Sequence, residues 1–369
     1  MLAESRHAPA PGDALLHPLA GAALLAVAFL LPLTAAYQLS SALEPWIYQG
    51  VQAWISAETM PPLIHHLLLG NYGLLSLGTM SLIWALPVVL LIGGSLSLLE
   101  QSGVQSWAVS SMAPGLRRVG LSPGDIAPVL TGFGCNVVAV HQAQGCAGCR
   151  KSACLSMMTY ASTCSYQLGA AFAVFGIVGH PWLVLPYLLL LITVGALHTR
   201  LWWGKPPLST VPTNRRKLQL PSVTGALQAQ ATGVSQFFRE AFPLFLVVCL
   251  LGAVLEYVQV PGKLATLLAP ALQHLGIAEG LLPSILFSLI RKDGILIATQ
   301  GGGDVLQQLT AAQAFIFVYF ASALSSCAVT LSAIAKGSTG RMAFTLWGRQ
   351  VLTAMATTAV LHVCVTAWG

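Results

Sequence analysis

From Arg6 to Arg117 the chain carries no lysine or arginine, and apolar runs of membrane-crossing length fill most of that interval. A soluble domain is about one-quarter charged. Here 8% of 369 residues are charged and 56% are hydrophobic, with a mean hydropathy of +0.75. In lipid every backbone polar group must be satisfied within the protein, which leaves helices or closed barrels. Apolar runs of about 20 residues have the length of spanning helices. The chain therefore reads as an all-α polytopic membrane protein in a lipid bilayer. Its net charge of +6 is the loop bias of such a protein and requires no nucleic-acid partner. No A-x-A-like cleavage site follows an apolar run, so the first span is expected to be retained.

Hydropathy predicts seven full transmembrane helices, near 15–36, 78–99, 154–178, 181–199, 236–257, 311–333 and 344–367. Two further apolar segments, 125–141 and 281–299, are interrupted by Gly132 and Gly134 in the first and by Arg291, Lys292, Asp293 and Gly294 in the second. Both read as broken or re-entrant helices. Glu44 and Glu58 follow the first span, whereas Arg117, Arg118, Arg150, Lys151 and the 200–222 loop with Lys205, Arg215, Arg216 and Lys217 are basic. The positive-inside rule then predicts a cytoplasmic N-terminus. Lys336, Arg341 and Arg349 also fall inside, provided that both broken segments return to the face they entered from.

The order of elements in 78–199 recurs in 236–369 with opposite orientation, which predicts two inverted repeats, an architecture of many secondary transporters. The division expected is 1–77, an N-terminal span and external amphipathic segment; 78–199, the first repeat; 200–235, a cytoplasmic basic linker; and 236–369, the second repeat.

Polar groups inside a membrane are functional hypotheses by default. Cys135, Cys164 and Cys327 each occupy a polar interruption of an apolar segment: Gly134-Cys135-Asn136, Ser162-Thr163-Cys164-Ser165 and Ser325-Ser326-Cys327. Sulfur suits soft and borderline divalent metals, although a membrane cysteine is also a small packing residue. Glu100 at the end of the second span, with Lys292 and Asp293 in the second broken segment, could join Asn136 along a transport path. The Lys292–Asp293 pair could equally be a structural ion pair. Gly132, Gly134 and Gly294 are the expected hinges.

His141, Cys146, Cys149 and Cys154 form a compact soft-ligand cluster in a predicted cytoplasmic loop. Two sulfurs of a C-x-x-C turn can bind one ion, and a third cysteine with a histidine can complete a tetrahedral site. A redox-active dithiol and plain loop thiols are the competing readings. Disulfide frameworks belong to small secreted domains, so the eight cysteines are expected to be reduced. His65 and His66, with Glu58 and Met60 on the predicted external side, could collect cations or be plain interfacial residues. Trp46, Trp54, Trp182, Trp202, Trp203 and Trp368 sit near span ends as an aromatic belt. The sequence shows no phosphate-binding loop, no Ser-His-Asp order and no H-E-x-x-H, so neither catalysis nor a bound nucleotide is expected.

At these residues the chain resembles the membrane domain of the FeoB ferrous iron transporter family, which is built of two Gate (nucleoside-recognition-like) repeats. His17-Pro18-Leu19 opens the first span, and Ser97-Leu98-Leu99-Glu100-Gln101-Ser102-Gly103 is similar to the family's S-L-L-E-D-S-G. Gly132-Phe133-Gly134-Cys135-Asn136-Val137 is similar to its G-F-G-C-N-V-P, with Val138 at the proline position. Thr163-Cys164-Ser165 and Cys327 fall at its further membrane cysteines, and Lys292-Asp293 resembles its A-K-E. The resemblance covers about 15–367 and implies Fe²⁺ import, with Cys135, Cys164 and Cys327 lining or gating the path.

No counterpart of the family's GTPase domain occurs in this sequence, so operation without its own GTPase is expected. A separate cytoplasmic GTPase or small accessory protein, and a homo-oligomer, are the partners the resemblance leaves open. The expected setting is the cytoplasmic (inner) membrane of a prokaryote. The membrane potential supplies about 2.3 kcal/mol per charge per 100 mV, and about twice that for a divalent ion. Zn²⁺, Mn²⁺, Co²⁺ or Ni²⁺ could replace Fe²⁺. Two other classes compete: a membrane metal or redox sensor using the Cys146–Cys149–Cys154 loop, and a Gate-type carrier of a small organic solute.

Overall fold

The computed structural model describes residues 18–54, 61–70, 73–146, 149–204, 218–236, 238–239, 242–324 and 326–368. All regular structure in them is helical. Glu58, Met60, Lys205, Arg215, Arg216, Lys217 and Ser325 lie outside the described residues, as do the side chains of Trp54, Asp293 and Trp368.

In chain order the helices begin with α1 (Pro18–Trp54), α2 (Pro62–Leu69), α3 (Ser76–Gln101), α4 (Val104–Arg118), α5 (Ile126–Gly132) and α6 (Asn136–Gly145). They continue with α7 (Lys151–Ala161), α8 (Ser165–Ile177), α9 (Val184–Trp203), α10 (Val223–Gln236), α11 (Phe242–Tyr257) and α12 (Val260–Gln273). The last are α13 (Leu282–Ile290), a 3-10 segment Lys292–Gly303, α14 (Asp304–Gln307), α15 (Ala311–Leu324), α16 (Ala328–Gly337) and α17 (Gly340–Trp368).

Among the described residues, four stretches are long and apolar enough to cross a membrane: Leu19–Ile47, Pro181–Trp203, Ala311–Gly337 and Gly340–Ala367. The protein is a multi-pass membrane protein; of the seven expected spans, the described residues show these four, or five with one bent pair. The span near 78–99 belongs to a pair, Leu86–Gln101 and Val104–Met112, bent by 87°. The bend falls at Gly103, whose φ of +77° is a left-handed conformation that glycine adopts without a Cβ penalty. The stretch 154–178 is not one helix but α7 and α8, broken at Ser162–Cys164. Within 236–257 the described residues include the 16-residue helix α11. Within the predicted 200–235 linker, α10 packs on α3: Gln230 Nε2 donates to Val89 O at 3.0 Å.

The two broken segments are hairpins. The start of α5 and the connection after α6 meet where Arg150 N donates to Asp125 Oδ1 at 2.9 Å. The chain therefore enters and returns on the side bearing Arg150. The second hairpin, α13 with the 3-10 segment, closes where Gly280 lies against Val305; a methyl on Gly280 would come within 3.1 Å of that side chain. Gly303 in this closure abuts Ile177, at the far end of α8. α7 starts beside Arg150 and α8 ends beside Gly303, so this broken pair runs from one hairpin base to the other. The largest buried core is built from α8, α9, α13 and α15, with Phe175, Tyr187, Phe317 and Phe320 among its fully buried residues.

Candidate functional site

Four chain breaks carry the site, and each exposes backbone groups that lipid cannot satisfy. Their partners are on the neighbouring breaks. α5 ends at Gly132, and Cys135 is extended (φ −148°, ψ 117°) before α6 begins. Ser165 N donates to Gly134 O at 3.1 Å. Ser162 Oγ donates to Val129 O at 2.8 Å, and Asn136 Nδ2 donates to Ser162 O at 3.4 Å. The first break is thereby stitched to the second. Gly132 makes the approach possible, since a Cβ there would sit 2.8 Å from Ser162 Cβ and 2.9 Å from Asn136 Oδ1.

The break at Ser162–Cys164 strips Thr159 O of a helical donor, as the end of a helix does. Lys292 Nζ donates to it at 3.0 Å, and Gln350 Nε2 at 3.2 Å. Gln350 also donates to Ala323 O, near the end of α15, at 2.9 Å, and accepts from Ser326 Oγ at 2.8 Å. One amide on α17 thus ties the second break to the fourth, and Lys292 ties the third to the second. Lys292 is 1% exposed. Its ammonium lies at the C-terminal end of α7, where the carbonyl dipoles favour a cation. The Asp293 side chain of the expected Lys292–Asp293 pair lies outside the described residues. The neighbouring Arg291 donates from Nη1 to Cys249 Sγ at 2.8 Å and lies over the Tyr166 ring.

The three membrane cysteines occupy equivalent local positions. Cys135, Cys164 and Cys327 are the N-caps of α6, α8 and α16. Cys327 Sγ accepts from Thr330 N at 3.4 Å, the side-chain-to-third-residue bond of a helix N-cap. All three line one cavity of about 60 Å³, together with Asn136, Lys292 and Tyr166. Asn136 Oδ1 and Ser165 Oγ border this space buried and without a hydrogen-bond partner. Among the described residues lining it there is no carboxylate. The positive ends of three half-helices and the Lys292 ammonium favour electron-rich groups there.

The other sequence candidates separate. Glu100, at the end of α3, and His141, on α6, line a neighbouring cavity of about 450 Å³ that shares Gly134 and Cys135 with the first. The predicted His141–Cys146–Cys149–Cys154 ligand set is not assembled. Cys146 and Cys149 are joined in a disulfide, which corrects the expectation of reduced thiols for this pair. Cys154 is fully buried, with its sulfur 3.7 Å from Asp125 O. Among the described residues, no three His, Cys, Asp or Glu side chains stand close enough together to hold a metal ion. The cavity cysteines therefore do not form a preformed chelate with other such side chains. On the other side, His66 pairs with Glu256 at 3.2 Å.

Asp125 closes the first hairpin. Its carboxylate accepts from Ser122 N at 2.7 Å, Ser122 Oγ at 2.9 Å and Arg150 N. Burial nonetheless raises its carboxyl above the usual range, against the lowering effect of those bonds and of the Arg150 charge. The Arg150 guanidinium donates to Gly120 O, Gly204 O and Trp203 O at 3.3, 3.2 and 2.7 Å. Thr330 and Gln350 were not singled out from sequence. Thr330 carried a signal in its position three residues after Cys327; Gln350, inside an apolar helix, carried only its polarity.

No curated protein and no solved structure matches the chain. Residues 82–179, from within α3 through the first hairpin and the broken pair α7–α8 to just beyond it, match the Gate family model, described as nucleoside recognition.

Proposed function

We propose that this protein is a membrane transporter, not an enzyme, and that its substrate is a divalent transition metal ion, Fe²⁺ first among them. The observation that carries the reading is that Cys135, Cys164 and Cys327, far apart in sequence, line a single cavity at the meeting point of four chain breaks. Sulfur ligands suit Fe²⁺ and its borderline neighbours. Broken helices meeting inside the membrane are the usual binding architecture of secondary transporters. The opposed hairpins support two inverted Gate repeats, with the Arg150 side facing the cytoplasm of a prokaryotic cell.

Size supports the ionic substrate. Pockets for small organic ligands occupy about 300–1,000 Å³, whereas the cysteine cavity offers about 60 Å³. That space suits an ion with few waters better than it suits a nucleoside. The deciding measurement is anaerobic Fe²⁺ uptake into proteoliposomes under an inside-negative potential. Wild-type uptake lost in Cys135→Ser, with competition by other divalent metals, is the expected result. Nucleoside uptake indifferent to chelators and to Cys135→Ser overturns the reading.

A further inference from the structure

We propose a second cation station beside the cysteine cavity, built from Glu100, His141 and Gln142, which receives the ion as a partly hydrated species on the Arg150 side. This rests on the transport reading and extends it. The two cavities share Gly134 and Cys135, so Cys135 forms the wall between them and its sulfur is the natural hand-over point.

Volume and ligand chemistry both change across that wall. A water needs roughly 10–15 Å³ of such space, so the cysteine cavity, at about 60 Å³, accommodates an ion with a few waters at most, whereas the second, at about 450 Å³, has room for a full hydration shell. Glu100 is the one carboxylate among the described residues lining either cavity. Gln142 Oε1 is buried there without a hydrogen-bond partner, and His141 contributes an imidazole. Oxygen and imidazole ligands bind borderline metals more weakly than thiolates do and let water back into the shell. An ion passing from sulfur to this station is therefore moving toward release.

Charge selects this route over the adjacent one. A third cavity of about 720 Å³ also touches His141, but Arg239 and Lys336 line it and no described carboxylate does. A cation leaving Cys135 is drawn to Glu100 and repelled from that side. Because no three ligating side chains among the described residues are close enough to chelate, the station holds its ion through water as well as protein atoms.

The test is anaerobic Co²⁺ titration of the detergent-solubilised full chain. Absorption reports thiolate-bound cobalt, and equilibrium dialysis counts the total bound. Two classes are expected in wild type, one with thiolate-to-metal charge transfer and one weaker without it. Glu100→Gln with His141→Ala should abolish the weaker class and leave the charge-transfer band. Cys135→Ser should weaken the band and leave the other class. Unchanged binding in the double variant, or in Glu100→Gln alone should the double variant fail to fold, overturns the station. Absence of the band in wild type, with the weaker class present and Glu100-dependent, refutes the cysteine path and keeps the station. Absence of both classes overturns both.

Discussion

Gly132→Ala and Gly134→Ala test the packing at the first break, because the motif presents the two glycines alike and the structure does not. A methyl at Gly132 would meet Ser162 Cβ and Oγ at 2.8 and 2.9 Å, and Asn136 Oδ1 at 2.9 Å. Overpacking of that kind costs about 1–3 kcal/mol. Ser162 must then move, and its hydrogen bond to Val129 O is lost or stretched, at about 1 kcal/mol. Alanine recovers up to about 1 kcal/mol of helix propensity at this last residue of α5. The net expectation is a loss of about 1–3 kcal/mol.

At Gly134 the nearest atom to an added methyl is Thr131 O at 3.4 Å, an ordinary contact, so the change in stability should stay within about 0.5 kcal/mol. That methyl does project at the wall shared by the two cavities. Thermal unfolding in detergent should show a clear fall for Gly132→Ala and none for Gly134→Ala, while proteoliposome uptake should slow in Gly134→Ala. Equal destabilisation by both, or an unchanged midpoint in Gly132→Ala, refutes the packing argument.

Unfolded protein should titrate six thiols before reduction and eight after, matching six free cysteines and the Cys146–Cys149 disulfide; eight beforehand removes the disulfide. Arg150→Lys keeps the charge but not the fork that reaches Gly120 O, Gly204 O and Trp203 O, and should lower stability by about 1.5–3 kcal/mol; an unchanged unfolding midpoint contradicts this. Burial raises the Asp125 carboxyl above its model-peptide range. The folded state therefore holds that proton more tightly than the unfolded state, a contribution fully present at low pH and lost as pH rises through the folded value. The stability advantage of wild type over Asp125→Asn should accordingly shrink from about pH 4 toward neutrality, read as the difference in unfolding midpoints. Gln350→Leu leaves the buried Thr159 and Ala323 carbonyls short of a donor and should cost about 1–3 kcal/mol per carbonyl left unsatisfied; Gln350→Glu, which lacks the amide donor, should not rescue it.

Much of the architecture is legible in the chain because lipid leaves so few options. Long apolar runs can only be helices, and Gly134-Cys135-Asn136 or Arg291-Lys292 inside such runs can only be breaks. The hydropathy window fails where breaks are short. It averages across Ser162–Cys164 and reads α7 and α8 as one span, and it passes over Gly103, where one left-handed residue turns the chain by 87°. The C-x-x-C spacing, equally suited to a metal or a disulfide, gave no means of choosing between them.

What the sequence by itself determined is the helical class, the positions of the interruptions and the residue types placed in them. Those follow from local rules: hydrophobic length, glycine conformational freedom and the cost of unpaired polar groups in lipid. What only the tertiary structure decided is which interruptions meet. Cys135, Cys164 and Cys327 share a cavity because the orphan carbonyls of one break are satisfied by side chains from others, Thr159 O by Lys292 and Gln350, and Ala323 O by Gln350. A hydrogen bond spanning 191 residues of chain has no signature in local composition; it exists only once the helices have packed.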